Sequence, residues 1–372
     1  VVCFVLGAPP VVSVVDDPPA GAVGSFTSLA IGTDGFPVIS YMDDFVGHLK
    51  VAKCNDAACA GGDETITTVD APVNDVGYYT SITIGADGFP VISYFDISAG
   101  NLKVAKCDDE ACAGGNEIIN TVDASANVVG AWSSIAISPD GFPVISYQDD
   151  TAFTLKVVKC DDAACAPGGE TFTTVDDPPV NHVGYFPSLA IGTDGFPVIS
   201  YLDDTAFTLK VARCFNAGCS GGAVTITTVD DPPANSVGRY TSLAIGTDGF
   251  PVISYQDFTA AALKVAKCND ASCFGGDETI TTIDDPSNQV GTYTSLAIGT
   301  DGFPVISYWD NTASSLKVAK CNDAACSSSR TITTVDDPSN TVGQFTSLAI
   351  GTDGFPVISY RDPSAGALKV MK

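Results

Sequence analysis

The sequence predicts an all-β fold, a seven-bladed β-propeller of four-stranded antiparallel blades, from three observations. One phrase, Asp-Gly-Phe-Pro-Val-Ile-Ser-Tyr, occurs seven times at steps of 52–54 residues. Each copy contains several short runs rich in β-branched residues and no helical period. Repeats of this length built from strands are typical of propeller blades, and seven of them account for all 372 residues. The phrase begins at Asp34, Asp87, Asp140, Asp194, Asp248, Asp301 and Asp353.

The second copy shows how four strands follow one another. Residues 81–84 alternate in polarity, and the Asp-Gly pair at 87–88 suits a tight hairpin turn. Pro90 opens the next strand, where the missing N–H of proline leaves no gap in the ladder. Residues 102–107 and 118–123 supply the third and fourth strands. The blade is therefore predicted to be a simple meander.

The two ends of the sequence predict a closed ring. Residues 11–16 match the fourth strand of a copy, whereas residues 368–372 match a third strand. The last blade thus lacks an outer strand that the first residues supply, which leaves no unpaired edge at the seam. We expect one domain over 1–372, with blades at approximately 27–70, 80–123, 133–176, 187–230, 241–284, 294–336, and 346–372 plus 11–16.

The order of strands predicts two different faces. If the first strand of each copy is innermost, the small residues of 28–32 and their equivalents line the channel. One face then carries the loops between strands two and three together with the crossovers between blades. The other face carries the Asp-Gly turns and the loops that contain cysteine.

Charge and hydropathy limit the partners of the chain. The formal net charge is -27, from 44 acidic and 17 basic residues, so we expect no nucleic acid partner. An acidic surface permits a basic or cationic partner, and it also serves solubility. No run of 18 apolar residues occurs, so no membrane insertion is expected. The apolar residues 1–8 are interpreted as a mature start that leads into a strand.

Twelve of the thirteen cysteines form six pairs of the same spacing. Disulfides that clamp the loop after strand three are the leading interpretation, and they indicate a secreted or cell-surface protein. Zinc is the alternative, although it favours two-residue spacing and four ligands in one place. Cys3 is left over, and we expect it to pair beyond Lys372 or with a neighbouring chain. The pairs are Cys54-Cys59, Cys107-Cys112, Cys160-Cys165, Cys214-Cys219, Cys268-Cys273 and Cys321-Cys326.

Every copy places an aspartate at the end of strand two and a lysine early in strand three. A short hairpin brings the two close, so structural ion pairs are predicted. The pairs are Asp43-Lys50, Asp96-Lys103, Asp149-Lys156, Asp203-Lys210, Asp257-Lys264, Asp310-Lys317 and Asp362-Lys369. Further aspartates end strand four, as at Asp16 and Asp176, and form Asp-Pro turns or, as the alternative, calcium sites. No cofactor is otherwise expected.

One aromatic residue follows each crossover glycine and is a candidate ligand contact at the channel mouth, with packing between blades as the alternative. These residues are Phe26, Tyr79, Trp132, Phe186, Tyr240, Tyr293 and Phe345. The residue between the tyrosine and aspartate of strand two varies among copies, which predicts exposure and adds Phe95, Trp309 and Arg361 as candidates. No catalytic residue is predicted, because the two histidines, His48 and His182, are far apart and no catalytic motif occurs.

The repeat Ser-Leu-Ala-Ile-Gly-Thr-Asp-Gly-Phe-Pro-Val-Ile-Ser-Tyr-x-Asp, followed by Leu-Lys-Val-Ala-Lys-Cys, resembles secreted bacterial β-propellers built of recently amplified blades. The resemblance covers essentially the whole chain and implies a surface or extracellular binding or scaffold module. We therefore expect a non-catalytic module that recognises a repetitive ligand, such as a polysaccharide, through several similar sites. A self-assembling subunit of a fibre, sheath or surface layer is the alternative, and a carbohydrate-active enzyme is the third.

Overall fold

The chain folds into a ring of seven four-stranded antiparallel sheets, as the repeats predict. The computed structural model describes residues 10–372 apart from 20, 74, 287–288 and 338–340. Among these residues there is no helix with the length and apolar character needed to cross a bilayer. In six blades the four strands lie in chain order from the innermost to the outermost, and in the seventh the outermost strand comes from the start of the chain.

The strands of the first four blades have closely similar bounds. Blade one contains β2 (Val23–Ile31), β3 (Pro37–Asp43), β4 (His48–Lys53) and β5 (Thr65–Asp70). Blade two contains β6 (Tyr78–Ile84), β7 (Pro90–Asp96), β8 (Asn101–Lys106) and β9 (Ile118–Asp123). Blade three contains β10 (Val129–Ile137), β11 (Pro143–Asp149), β12 (Thr154–Lys159) and β13 (Thr171–Asp176). Blade four contains β14 (Val183–Ile191), β15 (Pro197–Asp203), β16 (Thr208–Cys214) and β17 (Val224–Asp230).

The last three blades repeat the pattern, and the seventh draws one strand from the start of the chain. Blade five contains β18 (Val237–Ile245), β19 (Pro251–Asp257), β20 (Ala262–Lys267) and β21 (Thr279–Asp284). Blade six contains β22 (Thr292–Ile298), β23 (Pro304–Asp310), β24 (Ser315–Cys321) and β25 (Arg330–Asp336). Blade seven contains β26 (Gln344–Ile350), β27 (Pro356–Asp362), β28 (Ala367–Met371) and β1 (Val12–Asp16).

The seam of the ring is a regular strand pair. β1 lies antiparallel to β28, with Val12 opposite Met371. Beyond this ladder, Val11 and Lys372 exchange two backbone hydrogen bonds of 2.9 Å. The predicted closure, in which the N-terminal strand completes the last blade, is therefore confirmed.

Hydrogen bonds that serine hydroxyls accept join the innermost strands around the channel. Ser28 Oγ accepts a bond from the Ile82 amide of the next blade at 3.1 Å. An equivalent bond of 2.9–3.2 Å occurs at all seven junctions, and the one from the Leu29 amide to Ser347 Oγ links the first and last blades. Ser28 and Ala30 alternate with the buried Leu29, so small side chains border the channel. The predicted inner position of this strand is confirmed.

The apolar core lies between adjacent sheets. At the first junction, for example, Val38 and Leu49 of blade one pack with Ile92 and Tyr94 of blade two. The six predicted disulfides form, each with Cα atoms 4.9–5.0 Å apart, and their sulfur atoms are buried in six of these cores. Cys3 lies outside the described residues. Each blade is thus held by its neighbours, and blades one to six are also held by their own clamped loops.

Candidate functional site

A buried group of three polar side chains crosses each junction between blades. At the seam, Tyr41 Oη donates to Asp16 Oδ2 at 2.7 Å, and Lys50 Nζ lies 2.5 Å from the same oxygen. Asp16 ends the outer strand of blade seven, whereas Tyr41 and Lys50 belong to blade one. The seven groups are Asp16/Tyr41/Lys50, Asp70/Tyr94/Lys103, Asp123/Tyr147/Lys156, Asp176/Tyr201/Lys210, Asp230/Tyr255/Lys264, Asp284/Tyr308/Lys317 and Asp336/Tyr360/Lys369.

Burial and neighbouring charges shift the pKa values of side chains in these groups. Burial, and then the charge of the neighbouring aspartate, raises the pKa of Tyr41 well above its ordinary value. Burial opposes ionisation of Asp123, but hydrogen bonds from Lys156 and Tyr147 outweigh it and lower the pKa of that carboxyl. The seven tyrosines, whose pKa values are all raised, are therefore neutral donors at neutral pH, and Asp123 is a charged acceptor.

The ion pairs within each blade form only part of this arrangement. The strand-two aspartate and its lysine lie 2.8–3.8 Å apart in blades one, four, five, six and seven. Among the described residues, Lys103 and Lys156 instead pair with the aspartate of the preceding blade alone, which corrects the predicted pairs with Asp96 and Asp149. Asp96 and Asp149 accept amide hydrogens of the following loop, and Asp149 also accepts from Asn127. Asp203 accepts the same kinds of bond and still pairs with Lys210, so these bonds do not explain the difference.

A second set of ion pairs, which the sequence analysis missed, lies at the opposite face. The basic residue at the end of strand three, which precedes the first cysteine in six blades, pairs with the aspartate of the Asp-Gly turn in every blade, as Lys53 does with Asp34 at 2.6 Å. The strict repetition of both residues was the available signal. The two sets use fourteen of the seventeen basic residues, and Arg239, Arg330 and Arg361 remain.

The seven predicted mouth aromatics form one closed ring. Neighbouring side chains have ring centroids 4.0–4.8 Å apart, and Phe345 contacts Phe26 to complete the circle. All seven are partly exposed. The aromatic ring, defined here as Phe26, Tyr79, Trp132, Phe186, Tyr240, Tyr293 and Phe345, surrounds a cavity of about 200 Å³ on the channel axis. The seven aromatic side chains therefore pack against one another between blades and are also accessible at the channel mouth.

A β-bulge directs each aromatic side chain inward. In blade one, Phe26 and Thr27 together lie opposite the single residue Tyr41, because the pairing shifts between Ser25 and Ser28. Every residue of the aromatic ring has a left-handed backbone, with φ of 51–56°. This conformation costs roughly 1–2 kcal/mol for a residue other than glycine. Strain repeated at one place in all seven blades marks the mouth as a candidate site.

Hydroxyl groups next to the aromatic ring are occupied by bonds between blades. Thr80 Oγ1, for example, lies 2.8 Å from Ser40 Oγ of the preceding blade. The same bond, of 2.7–2.9 Å, occurs at six junctions. Blade four is the exception, because Pro187 replaces the hydroxyl residue and leaves the buried Ser146 Oγ without a hydrogen-bond partner among the residues that the structure describes. The cavity is thus lined by aromatic side chains and by threonine and serine hydroxyls that are already paired at six junctions.

Six of the seven variable residues of strand two are buried, which corrects the prediction that they are exposed, and Arg361 is partly exposed. Phe95 is 3% exposed and Trp309 is 9% exposed. Phe95 stacks under Tyr79 and Trp309 under Tyr293, with centroids 6.4 and 6.0 Å apart. Phe95 and Trp309 thus pack behind the aromatic ring. At the same position of blade five, Gln256 reaches the next blade and donates to the Val290 carbonyl at 2.9 Å.

Charged residues around the mouth differ from blade to blade. Arg361 is partly exposed, and its Nη2 lies 3.1 Å from Asp44 Oδ2. The guanidinium of Arg239 lies 3.9 Å from the centroid of the Phe258 ring, and its buried Nε has no hydrogen-bond partner among the described residues. The indole N–H of Trp309 is likewise buried and unpartnered in this part of the chain. Each of these three polar side chains occurs in one blade only.

The surroundings of two aspartates at the mouth raise the pKa of each carboxyl. Burial raises the pKa of Asp44 in spite of a hydrogen bond from Ser25 and the charge of Arg361. Burial and the charge of Asp149 raise the pKa of Asp150. Burial and the charge of Asp150 in turn raise the pKa of Tyr79 to about 12. Asp150 therefore lies close enough to the aromatic ring to influence a charged ligand there.

The strand-four carboxylates that were considered for calcium have protein partners. Asp16, Asp176 and Asp230 each accept from a tyrosine and pair with a lysine of the next blade. Within the described ranges, no group of three or more His, Cys, Asp or Glu residues is arranged to hold a metal ion. The structure assigns these oxygens to the junctions between blades.

Comparison with known proteins identifies the fold and nothing finer. No protein-family model matches the chain, and no curated protein matches it in sequence. A protein of unknown function from Dyadobacter fermentans is similar in structure, with a TM-score of 0.60 and 10% identity, over 97% of this chain and 96% of that one. The β-propeller domain of Swd1 from Myceliophteria thermophila has a TM-score of 0.59 and 8% identity, over 98% and 99%.

An enzyme is also among the similar structures. The α-L-arabinofuranosidase from Fusarium graminearum has a TM-score of 0.53 and 13% identity, over 98% of this chain and 97% of that one. At such identities the similarity shows a shared propeller fold, which supports many unrelated functions.

Proposed function

We propose that this protein is a non-catalytic extracellular binding module whose ligand sits on the aromatic ring at the channel mouth. The observation that carries the proposal is the closed circle of seven partly exposed aromatic side chains around one axial cavity. Concave sites with aromatic walls and a few polar groups are typical ligand sites. The strained backbone at all seven positions supports the same location.

The geometry favours one central site over seven separate ones. Ring centroids no more than 4.8 Å apart leave no room for an independent ligand at each blade. The expected recognition of a repetitive polysaccharide through several sites therefore becomes, in this proposal, the capture of one ligand group on the axis. Polysaccharide ends remain candidates for that group.

The residues of the cavity support binding without catalysis. Its walls are formed by Phe, Tyr, Trp, Thr, Ser and Pro side chains, and no carboxylate, histidine or lysine is among them. Six buried disulfides support an oxidising, extracellular setting.

Tryptophan fluorescence provides a direct test, because the only two tryptophans, Trp132 and Trp309, both belong to the mouth. A glycan array and a panel of small amines are screened, and each hit is titrated while the emission is followed. We expect a hit that changes the emission and is lost in Trp132→Ala. Phe274→Ala is the matched control, since Phe274 is exposed in a cysteine loop of the opposite face. Hits that bind equally to Trp132→Ala would contradict the proposal.

A further inference from the structure

We propose that the group bound at the mouth is a small organic cation, a quaternary or methylated ammonium. This inference rests on the proposed function and names the class of ligand. Such cations are recognised by aromatic side chains that surround the positive charge. The structure offers this arrangement on the axis, with seven aromatic side chains and no fixed positive charge in the cavity wall.

The dimensions of the aromatic ring fit this chemistry. Seven centroids spaced 4.0–4.8 Å apart around a circle lie about 5 Å from its centre, within the roughly 6 Å over which a ring attracts a cation. The cavity of about 200 Å³ lies below the volume of typical drug-sized ligand sites. It suits a compact head group better than an oligosaccharide.

Hydrogen bonding favours the cation over a sugar. The hydroxyls that flank the aromatic ring already bond across six junctions, as between Thr80 and Ser40. A sugar placed in the cavity would find these hydroxyls already paired, which limits its side-chain partners in the wall to the phenols of Tyr79, Tyr240 and Tyr293 and the indole N–H of Trp132. Each of its polar groups that stays unsatisfied and buried costs about 1–3 kcal/mol. A quaternary ammonium has no N–H or O–H on its cationic head and loses no such bond.

Electrostatics favours the same sign of ligand. The chain carries a net charge of -27, and Asp150 lies close to the aromatic ring. The charge of Arg361 is offset by Asp44 at 3.1 Å. Arg239 has no carboxylate within ion-pair distance among the described residues, so it is the one mouth charge that opposes a cation.

Because the positive charge of Arg239 opposes the binding of a cation, its removal should strengthen that binding, and this increase in affinity tests the proposal. Calorimetry and tryptophan emission measure the binding of choline, tetramethylammonium and the uncharged isostere 3,3-dimethylbutan-1-ol at one ionic strength. We expect both cations to bind at least tenfold more tightly than the isostere and to be lost in Trp132→Ala. Arg239→Gln is expected to bind choline several-fold more tightly, because a repulsion is removed.

The matched control is Arg330→Gln, which makes the same change of charge on the outer strand β25 and is expected to leave choline binding unchanged. Equal affinity for choline and its isostere, or weaker binding of choline by Arg239→Gln, would overturn the cation proposal. A glycan that binds in place of choline and requires Trp132 would overturn the cation and leave the proposed function intact. Binding of every probe that persists in Trp132→Ala would overturn both.

Discussion

The junctions between blades and the channel mouth differ in how strictly they follow the repeat. At the junctions, Tyr41 and its six equivalents are all fully buried, and each bonds to an aspartate of the preceding blade. At the mouth, the very next residue of the chain varies from Met42 to Arg361. The residues that join neighbouring blades are therefore the same in every blade. The residues behind the aromatic ring differ from blade to blade, and they give the one central cavity its particular surroundings.

Burial alone does not explain this contrast. The variable residues Phe95 and Trp309 are nearly as inaccessible as the tyrosines beside them. They differ in what they contact. Each tyrosine donates to an aspartate of the preceding blade, whereas Phe95 and Trp309 stack on residues of the aromatic ring. Substitutions at the junction should therefore affect stability, and substitutions at the mouth should mainly affect the ligand.

The largest expected effect comes from breaking one junction. Asp230→Ala leaves the phenol of Tyr255 and the ammonium of Lys264 without their shared carboxylate. Removal of one partner of a buried ion pair destabilises a protein by about 3–5 kcal/mol. Guanidinium unfolding measures the loss, and the exposed neighbour Asp231→Ala is the control. Equal effects of the two substitutions would show that the junction adds nothing to stability.

A smaller effect, of opposite sign, is expected at the one irregular junction. Pro187→Thr supplies a hydroxyl for Ser146 and removes a proline that follows a left-handed residue, Phe186. We expect a gain of about 1 kcal/mol, the usual worth of a hydrogen bond. The reverse change, Thr241→Pro, should destabilise the next junction by leaving Ser200 unpartnered. The idea fails if both variants shift the unfolding midpoint in the same direction.

The smallest effect is expected from Asp150→Asn and depends on pH. The folded chain raises the pKa of Asp150, so it binds a proton more tightly than the unfolded chain, and stability falls as pH rises through that raised pKa. The asparagine variant should therefore be slightly more stable than the original at pH 7 and equal to it below the ordinary aspartate pKa. Thermal unfolding at both pH values checks this, and Asp177→Asn on an exposed crossover is the control. A gain that persists at low pH would contradict the assignment.

The sequence alone was sufficient for the architecture. The repeated Asp-Gly-Phe-Pro phrase, the alternating runs and the split between residues 11–16 and 368–372 predicted the blades, their order and the closed seam. The uniform cysteine spacing predicted the six disulfides. All these features depend on residues close together in one copy, or on the pairing of strands, where alternation of side chains reports the local geometry.

Only the tertiary structure decided which groups meet across the blades. Sequence proximity suggested Asp96 for Lys103, but the packed sheets bring Asp70 of the preceding blade to that lysine. The left-handed backbone of Trp132 and the burial of Trp309 have no signature in residue type, since aromatic residues rarely adopt that conformation. The physical reason is that the twist and spacing of adjacent sheets determine these contacts, and residue spacing within one repeat carries no information about either.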